Sequence, residues 1–302
     1  MSVELAPHYK GGLRLRNPVM AASGAIGYGT EYADLLDRDR LGAIVSPSIT
    51  LRPRKGHPQP RVAEAPAGIL SAIGVQNIGL RALVDEKAPM WATWSVPVLV
   101  SIAGVSPEEY GALAAGLDGM EGVAGLEVNL TPVLNEFPGS ADAAYAAHVT
   151  RLVRQATTLP VLVKLSLDMG DVLQVAQAVE EAGADALTVT NAVAGMVIDI
   201  RRRRPALGGV LGGLSGPALK PLALRAVYQT AQRVSIPVVG CGGIGSAADA
   251  LEFLMAGATA VQVGTAILAD PQAPVRIIAG IDAFLQREGA AGIYEIIGAA
   301  RH

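Results

Sequence analysis

With 302 residues, half of them hydrophobic (51%), and a net charge of −3, the chain can bury a large core and has no electrostatic pull towards nucleic acid or an anionic membrane. No run of ~18 apolar residues and no charged-then-apolar leader is present, which predicts a soluble cytoplasmic protein with no membrane partner. Cys241 is the only cysteine. That excludes an internal disulfide and any iron–sulfur cluster or thiolate metal site held by this chain alone, and no metal is expected.

Residues 3–16 alternate loosely around Gly11-Gly12, which predicts a small hairpin against the floor of the main fold. Residues 18–23 are a first short apolar strand running into Gly24. Thr30 is placed to cap a helix carrying Tyr32, Leu35 and Leu36. Residues 42–46 form strand two, followed by a long connection over 50–78, rich in Pro, Arg and Gly. Connections of that length are functional or carry small elements of their own. Residues 97–103 are strand three, and Ser106-Pro-Glu-Glu starts a helix with proline at its first position.

Strand four spans 125–130, a helix 141–158, and strand five 160–166. A helix over 172–182 closes at Gly183, strand six spans 186–191, and a proline-started helix covers 217–234. The short run 238–239, ending in Gly240-Cys241-Gly242-Gly243, and residues 260–263 supply strands seven and eight, with a helix opening at Ser246 between them and a closing helix over 274–286. Eight strand–helix units in alternation, with no linker between them, predict one (β/α)₈ barrel domain over 1–302.

Strands seven and eight both end in glycines, at Gly240-Cys241-Gly242-Gly243 and at Gly264-Thr265. Bare backbone N–H groups side by side, with a nearby helix N-terminus, can cradle a phosphate, and this is where such barrels hold one. The alternative is that the glycines only make tight turns. Polar residues at the strand ends are Ser23, Ser46, Ser48, Ser101, Asn129, Thr131, Lys164, Thr190 and Asn191. Lys164, flanked by Val161, Leu162, Val163 and Leu165, belongs in a mostly apolar barrel mouth, where an ammonium needs an anionic partner. A flavin anionic on reduction, a Schiff-base substrate or an internal salt bridge would each serve. Asn129 and Asn191 can meet the edges of a flat heterocycle or close turns. His57, in Arg-Pro-Arg-Lys-Gly-His-Pro, reads as exposed. Arg201 to Arg204 read as a solvated loop, and Cys241 as packing.

Four segments together resemble the dihydroorotate dehydrogenase family, closest to its class 1B catalytic subunit. They are Asn17-Pro-Val-Met-Ala-Ala-Ser-Gly, Gly68-Ile-Leu-Ser-Ala-Ile-Gly-Val-Gln-Asn, Gly213-Leu-Ser-Gly-Pro-Ala and Asp249-Ala-Leu-Glu-Phe-Leu-Met-Ala-Gly-Ala. The resemblance implies an FMN-binding TIM barrel that oxidises dihydroorotate to orotate in pyrimidine biosynthesis. By position it implies FMN contacts at Ala22, Ser23, Gly24, Ser48, Asn129, Lys164, Thr190, Gly216, Cys241, Gly242, Gly243, Gly264 and Thr265. Substrate contacts fall at Ser71, Ile73, Gly74, Val75, Asn129 and Asn191, and Lys164 and Thr131 are the catalytic candidates. It further implies an electron-transfer subunit carrying FAD and an iron–sulfur cluster, and a homodimer or larger assembly.

The chain also departs from the family pattern. Asn129-Leu130-Thr131-Pro132-Val133 stands where the family reads Asn-Ile-Ser-Cys-Pro-Asn, so the proton-abstracting cysteine is missing and the loop is a residue shorter. Pro47 replaces a lysine that touches substrate and flavin, Ser71 an asparagine, and Ala192 a Ser/Thr. These losses fall on the substrate side of the flavin. They leave three readings: dihydroorotate oxidation, a paralogue using FMN on a less polar substrate, and a catalytically silent flavin-binding barrel.

Overall fold

The structure is a computed structural model that describes residues 1–130 and 142–301. Its centre is a closed barrel of eight parallel strands: Val19–Ala21, Ala43–Val45, Val98–Ile102, Gly125–Asn129, Val161–Leu165, Ala186–Val189, Val238–Cys241 and Ala260–Val263. The cylinder closes where Val261 pairs with Val19. These segments are short, rich in Val, Leu and Ile, and almost wholly buried. Parallel strands covered on both faces require that composition. The N-terminal hairpin is present as Val3–Glu4 against Arg14–Leu15, antiparallel.

Helices lie between the strands on the outside of the barrel, and their starts follow local chemistry. Asp142 and Asp171 cap Ala143–Ala156 and Val172–Glu181 by accepting backbone N–H groups. Ser246 and Asp249 make a reciprocal capping box at the start of Ala247–Met255. The proline-started helix after strand six is split, with a 3₁₀ turn at Pro217–Leu219 leading into Lys220–Thr230.

The first connection departs from strict alternation. No helix follows Thr30; the chain makes turns and one 3₁₀ turn at Arg38–Arg40. The Glu31 carboxylate accepts from the N–H groups of Tyr28 and Thr30 and from the Thr30 hydroxyl, which holds a turn at the place where a helix would start.

The long connection after strand two carries elements of its own. Val62–Ala65 and Gly68–Ser71 form a hairpin that joins Gly212–Ser215 and Val193–Gly195 in a four-stranded antiparallel sheet. This sheet rests over the barrel mouth on a small core of its own, Leu70, Ala72 and Leu207. The barrel and helices share one continuous core. Arg201 to Arg204 are exposed, at the end of a short ribbon of Ile198–Asp199 with Arg204–Pro205.

Candidate active site

A cavity of about 550 Å³ lies between the C-terminal strand ends and the sheet above them. Its floor brings together Ser23, Gly24, Pro47, Ser48, Ser101, Glu127, Asn129, Lys164, Asn191 and Ala192. Its roof is the stretch 71–76, the loop and strand residues 208–213, and His57 with Pro58. Ten of the residues implicated from sequence therefore meet on one cavity: Ser23, Gly24, Ser48, Ser71, Ile73, Gly74, Val75, Asn129, Lys164 and Asn191. Ala22, Thr190, Gly216, Cys241, Gly242, Gly243, Gly264 and Thr265 do not line it. Gly216 follows the roof strand Gly212–Ser215, and the others belong to the adjoining ends of strands six, seven, eight and one. Thr131 lies outside the described residues.

The floor is a hydrogen-bonded chain of side chains. The Ser48 and Ser101 hydroxyls are 2.7 Å apart, Asn129 Nδ2 donates to Ser48 Oγ at 3.0 Å, and Asn191 Nδ2 donates to Asn129 Oδ1 at 3.1 Å. Tyr110, buried behind strand four, donates its hydroxyl to the Asn129 carbonyl at 2.8 Å and fixes that strand end. The two asparagines thus tie strands four and six together while their edges face the cavity.

Lys164 resolves to an internal ion pair. Its ammonium is 3.3 Å from Glu127 Oε2 and donates to Gln262 Oε1 at 3.0 Å. Glu127 is fully buried; its Oε1 accepts from Gln262 Nε2 at 2.6 Å and from Thr188 Oγ1 at 3.0 Å. Burial is the largest single influence and pushes the Lys164 ammonium down, but the Glu127 carboxylate, with a smaller contribution from Cys241, holds the lysine above its usual range. Two of the three ammonium donors are used in this network, and the lysine also lines the cavity.

Glu127 was not among the residues singled out from sequence, although a signal was present. A carboxylate inside Gly-Leu-Glu-Val-Asn and a lysine inside Val-Leu-Val-Lys-Leu are opposite charges on consecutive strands. In the observed register Lys164 is opposite Asn129, two residues on from Glu127 on the same face. Gln262 was missed for the same reason, being one polar residue in an apolar strand. His57 was expected to be exposed; it is half-buried and forms part of the cavity wall. The cause is local. Gly74, at φ +72°, turns so tightly under the imidazole that an added Cβ would stand 2.6 Å from His57, and His57 N–H donates to the Ile73 carbonyl at 3.0 Å. The next residue, Val75, has φ +52°, a strained setting for a β-branched side chain, on the cavity wall.

The rim beside the cavity has room for a phosphate. At Gly24 (φ +80°) an added Cβ would meet nothing within 4 Å, and at Gly264 it would be 3.6 Å from Ala22, an ordinary contact. Protein packing therefore leaves the space at the ends of strands one and eight open, whereas at Gly242 and Gly243 an added Cβ would stand 2.9 Å from Ala223 and 2.6 Å from Lys220, so these glycines let the helix Lys220–Thr230 pack close and leave only their backbone to a ligand. The helix N-terminus expected to help is already used: Asp249 accepts from Gly245 N–H and Ser246 N–H, and Lys220 bridges Asp249 and Glu252. The strand-end glycines, together with the Thr265 hydroxyl, which donates to Ser215 Oγ at 2.8 Å, are what remain. Cys241 is buried at the end of strand seven; burial raises its thiol, and the Lys164 charge only partly offsets this.

Barrels that open a cavity at this end, beside bare glycine ends of strands seven and eight, are enzymes that anchor a phosphorylated ligand. Comparison with known proteins narrows that class: the family model described as dihydroorotate dehydrogenase matches residues 9–285, and the chain belongs to the dihydroorotate dehydrogenase family. Among its relatives is the "Dihydroorotate dehydrogenase B (NAD(+)), catalytic subunit" of Geotalea uraniireducens, 49% identical over 99% of this chain and 97% of the relative. The proteins of the same name from Geotalea daltonii and Desulforudis audaxviator are 48% and 50% identical over 100% and 96% of this chain, and over 98% and 95% of their own lengths. Family membership makes the chain an oxidoreductase acting on CH–CH bonds.

Proposed function

We propose that the chain binds FMN across the rim and cavity floor and oxidises dihydroorotate to orotate, delivering electrons to a separate subunit that carries FAD and an iron–sulfur cluster. The observation that carries this reading is the position of Lys164: a buried cation at the cavity floor, between the asparagine chain and the open glycine ends. FMN bound there supplies the hydride acceptor. Gly24, Gly242, Gly243, Gly264 and Thr265 hold the phosphate end, while Ser48, Asn129 and Lys164 meet the ring. Asn129 and Asn191 present their edges to the substrate, and the roof stretch Ser71 to Val75 closes over it and excludes water. Thr131 takes the place of the proton acceptor. The names of the relatives, each a "catalytic subunit", support the electron-transfer partner. A cytoplasmic location belongs to the same reading; among the described residues no helix is long and apolar enough to cross a membrane.

A second reading, a less polar substrate on the same flavin, is favoured by one observation. Pro47, Ser71 and Ala192 all line the cavity, where charged or longer hydrogen-bonding side chains would grip a carboxylate. Each such pairing is worth ~1.5–3 kcal/mol when charge is involved. Loss of an efficient general base costs a further ~10²–10⁴-fold in rate. The chain is therefore expected to turn dihydroorotate over far more slowly than a cysteine-bearing enzyme.

Two measurements decide. Denaturing the FMN-reconstituted protein should release one flavin per chain; release of none sinks the FMN reading. Anaerobic mixing with excess dihydroorotate should bleach the flavin slowly, with dithionite reducing it fully. No bleaching at all puts the second reading in front. Fast bleaching that Thr131→Ala abolishes shows that the threonine is an effective base.

A further inference from the structure

The Glu127 network does more than accommodate a buried lysine. Three donors converge on this carboxylate: the Lys164 ammonium, the Gln262 amide and the Thr188 hydroxyl. Gln262 links the two charges a second time, since its oxygen accepts from Lys164 while its nitrogen donates to Glu127. The amide can therefore sit only one way round, and the ammonium is held from two sides. Its third donor is left for the cavity that Lys164 lines. Glu127 also lines that cavity, so the charge presented at this point of the floor is that of a pair and not that of a lone cation.

We propose that Glu127 is a positioning residue for Lys164 that sets how strongly the bound flavin is drawn towards its anionic forms. A protein group near the flavin ring tunes its electronics by charge. With Glu127 present, the attraction Lys164 exerts on negative charge in the ring is partly cancelled while its direction is fixed. Without that carboxylate, a net positive charge faces the same ring edge. Glu127 fixes the direction of Lys164 and offsets part of the positive charge at the same edge of the cavity.

The inference rests on the FMN reading, and the test separates the two. Holoprotein reconstituted with FMN is titrated with sulfite, which forms a negatively charged complex with the oxidised ring, and the visible absorbance is followed. FMN stoichiometry and FMN affinity are measured on the same samples. Glu127→Gln is expected to bind sulfite at least tenfold more tightly than the unaltered protein while keeping one FMN per chain. Glu127→Asp, which keeps the charge, is expected to stay closer to the unaltered protein than the Gln variant does. Unchanged or weaker sulfite binding in Glu127→Gln overturns the inference, as does an equal shift in the Asp and Gln variants, which would mark the role as structural.

Should Glu127→Gln fail to fold, the comparison passes to Lys164→Met and Lys164→Met/Glu127→Gln. The double variant, with no uncompensated carboxylate, is expected to bind sulfite at least tenfold more tightly than the single one, and equal binding overturns the inference. If the unaltered protein takes up no FMN, the FMN reading has failed and the inference falls with it, a result visible before any variant is made.

Discussion

The floor and the roof of the cavity are built on different principles. The floor belongs to the barrel, whose strands share one continuous core with the surrounding helices, and its polar groups are locked in pairs: Lys164 with Glu127, Asn129 with Asn191, Ser48 with Ser101. The roof is a four-stranded sheet whose separate core, among the described residues, is Leu70, Ala72 and Leu207 with Ala63, Ala65, Val197 and Leu214 half-buried against them, and Val62 and Ile73 are exposed. A floor of interlocked charges tolerates little change, because removing one partner strands the other. A roof with a small core can be reshaped at modest cost. Of the departures from the family pattern, Ser71 sits on the roof, while Pro47 and Ala192 lie on the floor at its edge, beside the locked groups and not among them.

The largest expected effect tests the floor. Lys164→Ala leaves the fully buried Glu127 carboxylate facing only Gln262 and Thr188. Breaking a buried pair in this way costs about 3–5 kcal/mol. Chemical denaturation of the protein without flavin should show it as a lower midpoint with an unchanged slope. The sign of its pH dependence follows from the raised Lys164 ammonium. The pair contributes fully below the unfolded value, ~10.4, and is lost as pH rises through the higher folded value. The destabilisation should therefore persist across the neutral range and shrink in strong alkali. A loss under 1 kcal/mol at pH 7 would mean that water or a shift of the floor rescues Glu127.

The roof should give way differently. Leu70→Ala truncates one of the two leucines of the small core and is expected to cost about 2 kcal/mol, the low end for leucine truncation, because the sheet can settle into the gap. The effect should be local. Hydrogen exchange should speed up over 62–71 and 212–215 while barrel strands such as Val161–Leu165 keep their protection. Uniform acceleration across the barrel would show that roof and floor unfold as one unit, and the contrast between them would fail.

The same contrast explains what could be read from the sequence. All eight barrel strands were legible, because a buried parallel strand announces itself as a short, nearly continuous apolar run between polar, proline or glycine residues. The roof was visible only as a connection too long to be bare, since Gly68–Ser71, the hairpin partner of Val62–Ala65, pairs on its other edge with Gly212–Ser215, far away in sequence. Lys164 was legible as a charge in need of a partner. Its partner was not, because choosing between flavin, substrate and Glu127 requires the register of strands four and five. The helix after Thr30 failed for a local reason: the carboxylate of Glu31 competes for the backbone donors that a first helical turn leaves free.

The smallest effect is expected at Cys241, on the border between the locked floor and the open rim. Its thiol lies at the end of strand seven, buried, with Lys164 and Glu127 close enough to act on it in opposite directions. Burial is the largest influence and raises the thiol, the Lys164 charge pulls it down, and Glu127 pushes it up again. Only the thiolate reacts with an alkylating agent, and an ordinary thiol titrates near ~8.5. At pH 8 the folded protein should therefore react with iodoacetamide far more slowly than after unfolding in denaturant, where the ordinary rate returns. Lys164→Met removes the one influence that favours the thiolate and should slow the reaction further. If the folded protein reacts as fast as the unfolded one, Cys241 is open to solvent through the rim, and the border between floor and rim lies below strand seven rather than at its end.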